Sequence, residues 1–446
     1  MRELIQRLAD AGELLVVDKR VDPRFELAAV TSRVQQEGEK AVLFRHVAGT
    51  DLPVVSNVYG SYARLCALIE APLDGFCRTW NEILRRPLAH PAAAPEPSGA
   101  AAARIETTLG KLPLITYHEK DAGPYFTSAI FLAREPDTGA ANLSFHRSMY
   151  VSDGELRVRL GSSHDLAKYQ KKAEQRGQAL EAAILIGARP EVFLSAGFSL
   201  PYEADELELA AKIAGRPLPM QACRTIALAV PADTEIVIEG RFVPNVRRPE
   251  GPFGEFLGAY VPEGLNHVFE VLAVTLRPGA MFHSITCGTA EDLRPLEALT
   301  AARVYEHVSR VVPGVLDVST RPNCMITIVK IQQQYAGHGK HALLAALGSS
   351  MDFNKVCIAV DADVDIHDLN DVMWAFLTRG PADQRALVLD RIPGFYRDEH
   401  QDHWGRLALD ATMPWGRAAE FERKRIPGAQ ELDLSSYIRS QSGVMP

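Results

Sequence analysis

Six residues in the middle of the chain, Glu250-Gly-Pro-Phe-Gly-Glu255, constrain the fold more than any other segment. The proline lacks a backbone donor, and the two glycines allow backbone angles that other residues avoid, so the segment continues neither a helix nor a strand. We therefore predict a tight loop that holds Glu250 and Glu255 close together. Neighbouring carboxylates can take different protonation states, so that one of them donates or accepts a proton. The alternative is an acidic surface turn, and the spacing alone does not decide between the two.

Length, charge and cysteine content narrow the class of protein. With 446 residues the chain exceeds what one hydrophobic core normally supports, so two or three domains are expected. A net charge of −8 argues against nucleic acid as a partner. The six cysteines are scattered without a C-x-x-C pair, which predicts neither a zinc knuckle nor a disulfide framework. No stretch approaches the ~20 apolar residues of a membrane span, so we expect a cytoplasmic protein with no membrane partner.

The N-terminal part alternates between helical and strand patterns. Strands are predicted at Leu14–Val17, Ala41–Arg45 and Pro53–Asn57, and helices around Leu4, at Phe25–Gln36 and at Tyr62–Glu70. This alternation is typical of a small α/β unit. The Ala- and Pro-rich stretch from Pro87 to Ala103 cannot pack a core and is predicted to be a linker or a long surface loop.

The middle of the chain is richer in strand patterns. Leu156–Leu160 and Glu235–Glu239 alternate with period two, Val268–Leu276 is a longer apolar run, and Asp153-Gly154 is a hairpin turn signal. One long helix is predicted at Asp165–Gly187 and a shorter one at Asp205–Ala214. A β-rich barrel or sandwich with inserted helices fits this region best.

The last third returns to an α/β texture. A helix is predicted over residues 291–311, followed by strands at Met325–Ile331 and Val356–Val360 and by helices at Lys340–Leu347 and Leu369–Leu377. From about Phe395 the tail is charged and aromatic without clear periodicity. We therefore divide an α+β multidomain chain into residues 1–103, 104–290, 291–311 and 312–446.

Several polar residues precede the acidic loop. Asn142 and Arg147 lie five positions apart, so a strand that carries them must bend if both face one site. His164 stands at a predicted helix start, where the helix dipole favours an anion such as phosphate. With Glu206, the Asn and His side chains would make a mixed oxygen and nitrogen site for Mg²⁺ or Mn²⁺. Taken singly, His164 is explained as a residue at a helix N-terminus, Glu206 as one of several solvated charges and Arg147 as a surface cation on a strand.

Cys287 stands beside a glycine, in Ile285-Thr286-Cys287-Gly288-Thr289. A nucleophilic role would require an activated thiolate, whereas a small buried apolar residue requires nothing further. The second interpretation is favoured.

The order of these elements resembles the UbiD family of prenylated-FMN-dependent decarboxylases. The resemblance is carried by Asn142, Arg147, His164, Glu206, Glu250–Glu255, Thr286-Cys287-Gly288, Val360–Ile366, Asp371–Ala375 and Asp410-Ala411-Thr412. It extends from the first helix to about residue 415. It implies an N-terminal α/β segment, a split β-barrel flavin-binding domain, a connecting helix and a C-terminal α/β oligomerisation domain, assembled as a homodimer or a hexamer.

The resemblance also implies the cofactors and their ligands. Prenylated FMN would be supplied by a flavin prenyltransferase, and Asn142, His164 and Glu206 would bind Mn²⁺ or Mg²⁺ at its phosphate, with K⁺ alongside. The residues expected around the cofactor are Asn142, Ser144, Phe145, His146, Arg147, Ser163, His164, Phe198, Glu206 and Cys287. Phe198 stands in Ala196-Gly197-Phe198-Ser199, where some relatives place serines and a methionine.

The implied catalytic network consists of Arg147, Glu250 and Glu255. Arg147 would pair with the substrate carboxylate, Glu255 would donate a proton to carbon once CO₂ leaves, and Glu250 would hold the arginine. The expected activity is nonoxidative, reversible decarboxylation of an aromatic or heteroaromatic acid, with indole-, pyrrole- or furan-type acids favoured. Alternatives are a phenylacrylic or 4-hydroxybenzoate-type decarboxylase, a flavin-binding scaffold without turnover, and a hydrolase that uses the two acids on a glycosidic bond.

Overall fold

The computed structural model describes residues 1–87, 103–161, 163–202, 204–349, 353–392, 404–429, 432–433 and 436–437. The linker predicted between Pro87 and Ala103 therefore lies, apart from its two end residues, outside the described residues. The beginning of the C-terminal tail, residues 393–403, lies outside them as well.

The helices and strands follow one another in a mixed order. The helices are α1 (Arg2–Asp10), α2 (Glu26–Glu37), α3 (Tyr62–Leu68), α4 (Phe76–Arg85), α5 (Asp165–Gln175), α6 (Pro190–Ala196), α7 (Glu206–Ala214), α8 (Ala290–Val311), α9 (His338–Leu347), α10 (Leu369–Thr378) and α11 (Ala382–Arg385). The strands are β1 (Leu14–Val17), β2 (Ala41–Phe44), β3 (Val54–Ser56), β4 (Ile105–Thr107), β5 (Tyr125–Phe126), β6 (Ile130–Arg134), β7 (Ala141–Phe145), β8 (Ser148–Ser152), β9 (Glu155–Val158), β10 (Leu180–Ile186), β11 (Met220–Ala222), β12 (Ala229–Pro231), β13 (Ile236–Glu250), β14 (Phe253–Gly254), β15 (Tyr260–Val261), β16 (Gly264–Leu276), β17 (Phe282–His283), β18 (Val315–Ser319), β19 (Ile326–Ile331), β20 (Val356–Asp361), β21 (Ala386–Ile392) and β22 (Trp404–Asp410).

The N-terminal sheet has the strand order β1-β2-β3-β17. Helix α1 buries Leu4, Ile5 and Leu8, which is the apolar face that the sequence pattern predicts. The strand predicted at Leu14–Val17 is confirmed. Because β17 comes from residues 282–283 and pairs in parallel with β3, the N-terminal sheet is completed by a strand from much later in the chain. The N-terminal segment is thus joined to the β-rich part by backbone pairing.

A nine-stranded sheet forms the middle of the molecule, with the path β5-β8-β9-β16-β13-β10-β6-β7 and β4 added beside β16. The predicted hairpin at Asp153-Gly154 is confirmed, since β8 and β9 pair antiparallel across it. Among the described strands the two ends of the path, β5 and β7, do not pair with each other, so no closed barrel is found. The long strands β13 and β16 pair antiparallel in the centre of the sheet. The acidic loop connects them at the end where Glu250 lies opposite Gly264.

The long helix predicted at Asp165–Gly187 is wrong. Helix α5 ends at Gln175, Gly177 follows with φ +66°, and residues Leu180–Ile186 form the strand β10. β10 pairs with β13 on one side and β6 on the other, and its last five residues are all buried. A short apolar run that is buried on both faces has the same pattern in a helix and in a strand, so periodicity alone could not separate the two.

The C-terminal unit contains a five-stranded sheet with the order β18-β19-β20-β22-β21. The predicted helices and strands between residues 291 and 378 are found within one or two residues of their predicted ends. Strands β21 and β22 were not predicted, although β22 pairs in parallel with the buried β20. Helix α8 connects this unit to the rest, because its buried residues belong to the same core as α1, α4 and α6.

Two further sequence expectations can be compared with the structure. All six cysteines are free thiols, as their spacing predicts. None of the helices in the described part of the chain combines the length and the apolar character needed to cross a membrane.

Candidate active site

One cavity of about 290 Å³ opens between the nine-stranded sheet, α6 and the first turns of α8. Its lining is mainly aromatic and aliphatic, with a few charged side chains, as is usual for cofactor pockets. The lining residues are Thr127, Phe145, His146, Arg147, Arg159, Gly161, His164, Phe193, Gly197, Phe253, Glu255, Phe256, Ile285, Cys287, Glu291, Asp292, Pro295, Leu296, Leu299 and Phe353.

The strand that carries Asn142 breaks before it reaches Arg147. β7 ends at Phe145 and β8 begins at Ser148, so His146 and Arg147 lie in the connection between them. Asn142 points toward helix α7, whereas Arg147 lines the cavity. The bend that the odd spacing required is therefore present.

Arg147 and Glu250 form a bidentate ion pair at the wall of the cavity. Nε and one terminal nitrogen of the guanidinium donate to the two carboxylate oxygens over 2.9 and 2.8 Å. Glu250 is fully buried and also accepts from the Tyr125 hydroxyl and from Asn266 Nδ2, each at 2.9 Å. The guanidinium stacks at 4.7 Å from the Phe253 ring centroid. Burial lowers the pKa of Arg147, but the hydrogen bonds and charge of Glu250 outweigh it and leave this pKa above its ordinary value.

The loop after Glu250 is as tight as its sequence predicts. Gly251 has φ +91°, the Gly251-Pro252 bond is cis, and β14 and β15 form a short hairpin. Gly254 is required by a close contact, because a Cβ at this position would lie 2.5 Å from His118 Nδ1. Glu255 lines the cavity at the start of the hairpin turn, and its charge acts on Arg147. Glu250 is therefore buried behind Arg147, whereas Glu255 lines the cavity. The surface-turn alternative is wrong for Glu250.

Asn142 and Glu206 meet at the start of helix α7. Asn142 Nδ2 lies 3.4 Å from Glu206 Oε2, which also accepts from the Leu143 backbone nitrogen at 3.2 Å. Glu206 is 3% exposed, and burial raises the pKa of its carboxyl to about 8. A cation beside this carboxylate would offset the cost of burying its charge.

His164 and His146 continue this polar group toward the cavity. Ser144 Oγ donates to Asn142 Oδ1 at 2.8 Å and lies 2.9 Å from His146 Nε2. The two imidazole rings are 5.3 Å apart, and His164 is exposed at the N-terminus of α5. Burial, reinforced by the charge of His164, lowers the pKa of His146 well below its ordinary value. The structure thus brings Asn142, His146, His164 and Glu206 into one neighbourhood.

These donors fit a hard divalent cation. Within the described ranges, no group of three or more His, Cys, Asp or Glu side chains is placed to hold a metal. An ion at Glu206 would therefore use the Asn142 amide oxygen, an imidazole nitrogen and oxygens from a bound ligand, a set that suits Mg²⁺ or Mn²⁺.

The other residues expected near the cofactor occupy different positions. Phe145 and Cys287 line the cavity, and Ser163 is exposed just before α5. Phe198 is buried against Trp80 at 5.3 Å between ring centroids and is not among the lining residues. Burial raises the pKa of the Cys287 thiol well above its ordinary value, which agrees with a small buried residue and not with a nucleophile.

Glu291 is a cavity residue that the sequence pattern did not reveal. Its fully buried carboxylate accepts from the backbone nitrogens of Asn57, Val58 and Tyr59 at 2.5, 2.6 and 3.1 Å, and lies 2.9 Å from His283 Nε2. It thereby ties the start of α8 to the N-terminal segment. The only sequence signal was an acidic residue in the first turn of a predicted helix, which is also the ordinary choice at a helix start.

Comparison with known proteins settles the family. Sequence models of the N-terminal, Rift-related and C-terminal domains of 3-octaprenyl-4-hydroxybenzoate carboxy-lyase match residues 5–84, 94–290 and 295–411. The chain belongs to the UbiD family. Anhydromevalonate phosphate decarboxylase of Methanothermobacter thermautotrophicus is 31% identical over 434 residues, which cover 95% of this UbiD chain and 99% of the relative.

Solved structures agree with this assignment. The UbiD-class enzyme HmfF of Pelotomaculum thermopropionicum, in complex with FMN, superposes with a TM-score of 0.91 at 33% identity and covers 98% of this chain and 99% of its own. An evolved dimeric form of HmfF, in complex with prFMN, has a TM-score of 0.89. Vanillic acid decarboxylase of Sedimentibacter hydroxybenzoicus has a TM-score of 0.83 at 25% identity, with 96% of each chain covered. This UbiD protein is therefore a carboxy-lyase with a mixed α+β multidomain fold.

Proposed function

We propose that this carboxy-lyase is a prenylated-FMN-dependent, nonoxidative and reversible decarboxylase of an aromatic or heteroaromatic carboxylic acid. The observation that carries the proposal is Arg147, held by Glu250 and facing the same cavity as Glu255. The FMN and prFMN complexes of HmfF support prenylated FMN as the cofactor. Indole-, pyrrole- and furan-type acids are favoured, since the aromatic rings of Phe145, Phe193 and Phe253 line the cavity.

Prenylated FMN, when bound, supplies the electron sink for the negative charge that decarboxylation leaves on carbon. Asn142, His164 and Glu206 would hold Mn²⁺ or Mg²⁺ at its phosphate, with K⁺ alongside. The buried carboxylate of Glu206 supports this role, because a cation would offset the cost of its charge. The phosphate would lie at the start of α5, where helix N–H groups face an anion.

Arg147 would bind and orient the substrate carboxylate. A guanidinium recognises a carboxylate through a planar fork of donors, and a fork that is fixed in advance loses little conformational entropy on binding. Glu250 provides that fixation, supported by Tyr125 and Asn266. Because four hydrogen bonds occupy its two oxygens, Glu250 acts as a positioning residue and does not transfer a proton.

Glu255 would deliver the proton to carbon after CO₂ leaves. It lines the cavity on a short hairpin turn, close enough to Arg147 for the two charges to interact. A carboxyl on a turn can approach the substrate carbon without moving a helix or a sheet. In the reverse direction the same group would remove the proton before CO₂ adds, so high CO₂ should support carboxylation.

The domain boundaries 1–103, 104–290, 291–311 and 312–446 belong to the proposal, with a split β-barrel flavin-binding domain in the second range. Homo-oligomerisation as a dimer or a hexamer would use the C-terminal unit. Its support is the exposure of large apolar side chains there, with Leu344, Leu377 and Val388 58%, 68% and 73% exposed.

Coexpression with a flavin prenyltransferase tests the proposed function. The purified protein should show the absorption of a modified flavin and should release CO₂ from at least one acid of an indole, pyrrole, furan, phenylacrylic and hydroxybenzoic panel. The Glu255→Gln variant should keep the flavin spectrum and lose turnover. Absence of both flavin and turnover in the wild type would refute the proposal, and full activity of Glu255→Gln would reassign the proton donor.

Two alternatives are decided by the same panel. Phenylacrylic or hydroxybenzoic acids would be the preferred substrates of the second candidate, which the likeness to vanillic acid decarboxylase supports. A flavin-binding scaffold would retain the spectrum and release no CO₂ from any acid. The buried Arg147–Glu250 pair argues against a scaffold. Because the desolvation of two charges offsets their attraction, the pair contributes little or nothing to stability, so a purely structural role does not explain it.

A further inference from the structure

Besides Arg147 and Glu291, the charged residues of the cavity form two groups. Arg159 and His164 belong to one group with His146, since His146 Nδ1 lies 3.3 Å from the Arg159 carbonyl oxygen and its ring is 5.3 Å from His164. The second group contains Glu255 and Asp292, and it continues along α8 into an apolar wall. The phosphate of the proposed flavin would lie at the first group, because an anion is attracted by its cationic and imidazole side chains. The substrate would therefore lie at the second group.

Asp292 is the polar residue of the second group that the proposed mechanism does not use. Its Oδ2 accepts from the Gly288 backbone nitrogen at 2.7 Å, and its carboxyl is also hydrogen-bonded to the Cys287 thiol. The charges of Asp292, Glu255 and Arg147 all act on that thiol. Burial raises the pKa of Asp292.

In the described part of the chain, the arginines around Asp292 are paired with other carboxylates. Arg294, two residues further along α8, donates to Glu297 at 2.9 Å, and Arg321 lies 3.6 Å from the same carboxylate. Among the described lining residues the arginines are Arg147, which is bound by Glu250, and Arg159, which belongs to the first group. The next cavity residues on α8 are Pro295, Leu296 and Leu299, which offer no hydrogen-bond donor.

We propose that Asp292 and the apolar wall of Leu296 and Leu299 select acids whose reacting carboxylate is their only anionic group. A second carboxylate or a phosphate placed there would be desolvated without a cation and would face a carboxylate of the same charge. Rejection of a competing ligand by an unpaired charge is an established route to specificity. This inference rests on the proposed function and narrows its substrate class.

This chain is expected to differ in substrate from the relative in Methanothermobacter thermautotrophicus. The name of that relative, anhydromevalonate phosphate decarboxylase, states a substrate that carries a phosphate as well as the reacting carboxylate. At 31% identity the two chains share the fold, while the substrate end of this cavity carries an acid and aliphatic side chains. Phosphorylated acids are therefore expected to be poor substrates here.

Matched substrate pairs test the proposal on the holoenzyme. Furan-2-carboxylate is compared with furan-2,5-dicarboxylate, and pyrrole-2-carboxylate with pyrrole-2,5-dicarboxylate. We expect kcat/KM of the wild type to favour each monoacid by about tenfold or more. Asp292→Asn removes the negative charge and should lower the ratio of kcat/KM for the monoacid to kcat/KM for the diacid. Leu296→Arg adds a cation and should lower this ratio further. Asp368→Asn, at the N-cap of the distant α10, is the matched control and should leave the ratio unchanged.

Equilibrium binding separates this inference from the proposed function. The dissociation constants of cyclohexanecarboxylate and cyclohexane-1,4-dicarboxylate, which do not react, are measured by calorimetry on the same proteins. A wild-type preference for the monoacid that Asp292→Asn or Leu296→Arg reduces supports the inference, even if no acid is decarboxylated. Equal affinity for the two, or faster turnover of the dicarboxylates by the wild type, overturns it. Leu296→Arg keeps the test decisive if Asp292→Asn fails to fold.

Discussion

Arg147 and Glu250 lie 103 residues apart in the chain and meet through two hydrogen bonds of 2.9 and 2.8 Å. The carboxylate is fully buried and the arginine side chain is 10% exposed, so the pair is largely removed from water. Such a pair contributes little net stability, but it leaves a costly buried charge when one partner is lost. The geometry of the site therefore depends on both residues being present.

Removal of Glu250 should cost both stability and activity. For Glu250→Ala we expect a loss of about 3–5 kcal/mol in the free energy of unfolding, because Arg147 is left buried without its partner. Urea unfolding measures this. The control is Glu270→Gln, whose partner Arg241 is 47% exposed and whose loss should cost at most about 1 kcal/mol. Similar losses in the two variants would contradict the assigned burial.

Arg147→Lys should preserve the fold and abolish most of the activity. Lysine keeps the charge but loses the planar fork, so it can satisfy neither Glu250 nor a substrate carboxylate in two-point fashion. We expect kcat/KM to fall about 100-fold while the flavin spectrum is retained. Arg241→Lys, in an exposed pair, is the matched control. An active Arg147→Lys enzyme would show that bidentate geometry is not required.

Metal content should depend on Glu206. Glu206→Gln is expected to lower the amount of Mn²⁺ retained after purification by about tenfold, as measured by inductively coupled plasma mass spectrometry. Glu208→Gln, two residues along α7 and half-buried, should retain the wild-type amount. Equal retention in both variants would remove Glu206 from the proposed metal site.

Glu291→Gln should loosen the N-terminal segment from α8. The carboxylate accepts from three consecutive backbone nitrogens, and an amide would present its own donor to one of them. We expect a loss of about 2–4 kcal/mol in the free energy of unfolding. Glu306→Gln, on the same helix in a pair with Arg310, should change little. Chemical denaturation measures the free energy of unfolding of both variants. Equal values for the two would contradict the role assigned to Glu291.

The stability contributed by Asp317 should depend on pH. Burial raises its pKa from 3.8 to about 6, although the Val318 backbone nitrogen and the Cys77 thiol oppose the shift. Between these values the folded state keeps a proton that the unfolded chain has released, so stability falls as pH rises from about 4 to 6 and then levels off. The cost reaches at most about 3 kcal/mol.

Asp317→Asn should therefore gain stability relative to the wild type as pH rises through that window. Urea unfolding at pH 4, 5, 6 and 7 measures the difference. Asp383→Asn, on the exposed α11, is the matched control. A constant difference for Asp317→Asn would mean that its carboxyl titrates normally in the folded protein.

Much of the secondary structure followed from local pattern. Helix α7 and strand β1 were predicted almost to the residue, because α7 carries a one-sided apolar stripe and β1 is a run of four branched residues, too short for a helix. Strand β10 was mistaken for helix, since a run buried on both faces loses its periodicity. Strand β22 lay in a tail without periodicity and becomes a strand only by pairing with β20 and β21.

The sequence by itself determined the family and the residues around which the site is built. The order of Asn142, Arg147, His164, Glu206 and the acidic loop indicated them, because side-chain chemistry and glycine and proline geometry are local properties. The resemblance implied different roles for Glu250 and Glu255, but only the tertiary structure showed that Glu250 is fully buried and that Glu255, Glu291 and Asp292 line the cavity. Burial and charge environment depend on which distant segments pack together, and no local pattern contains that information.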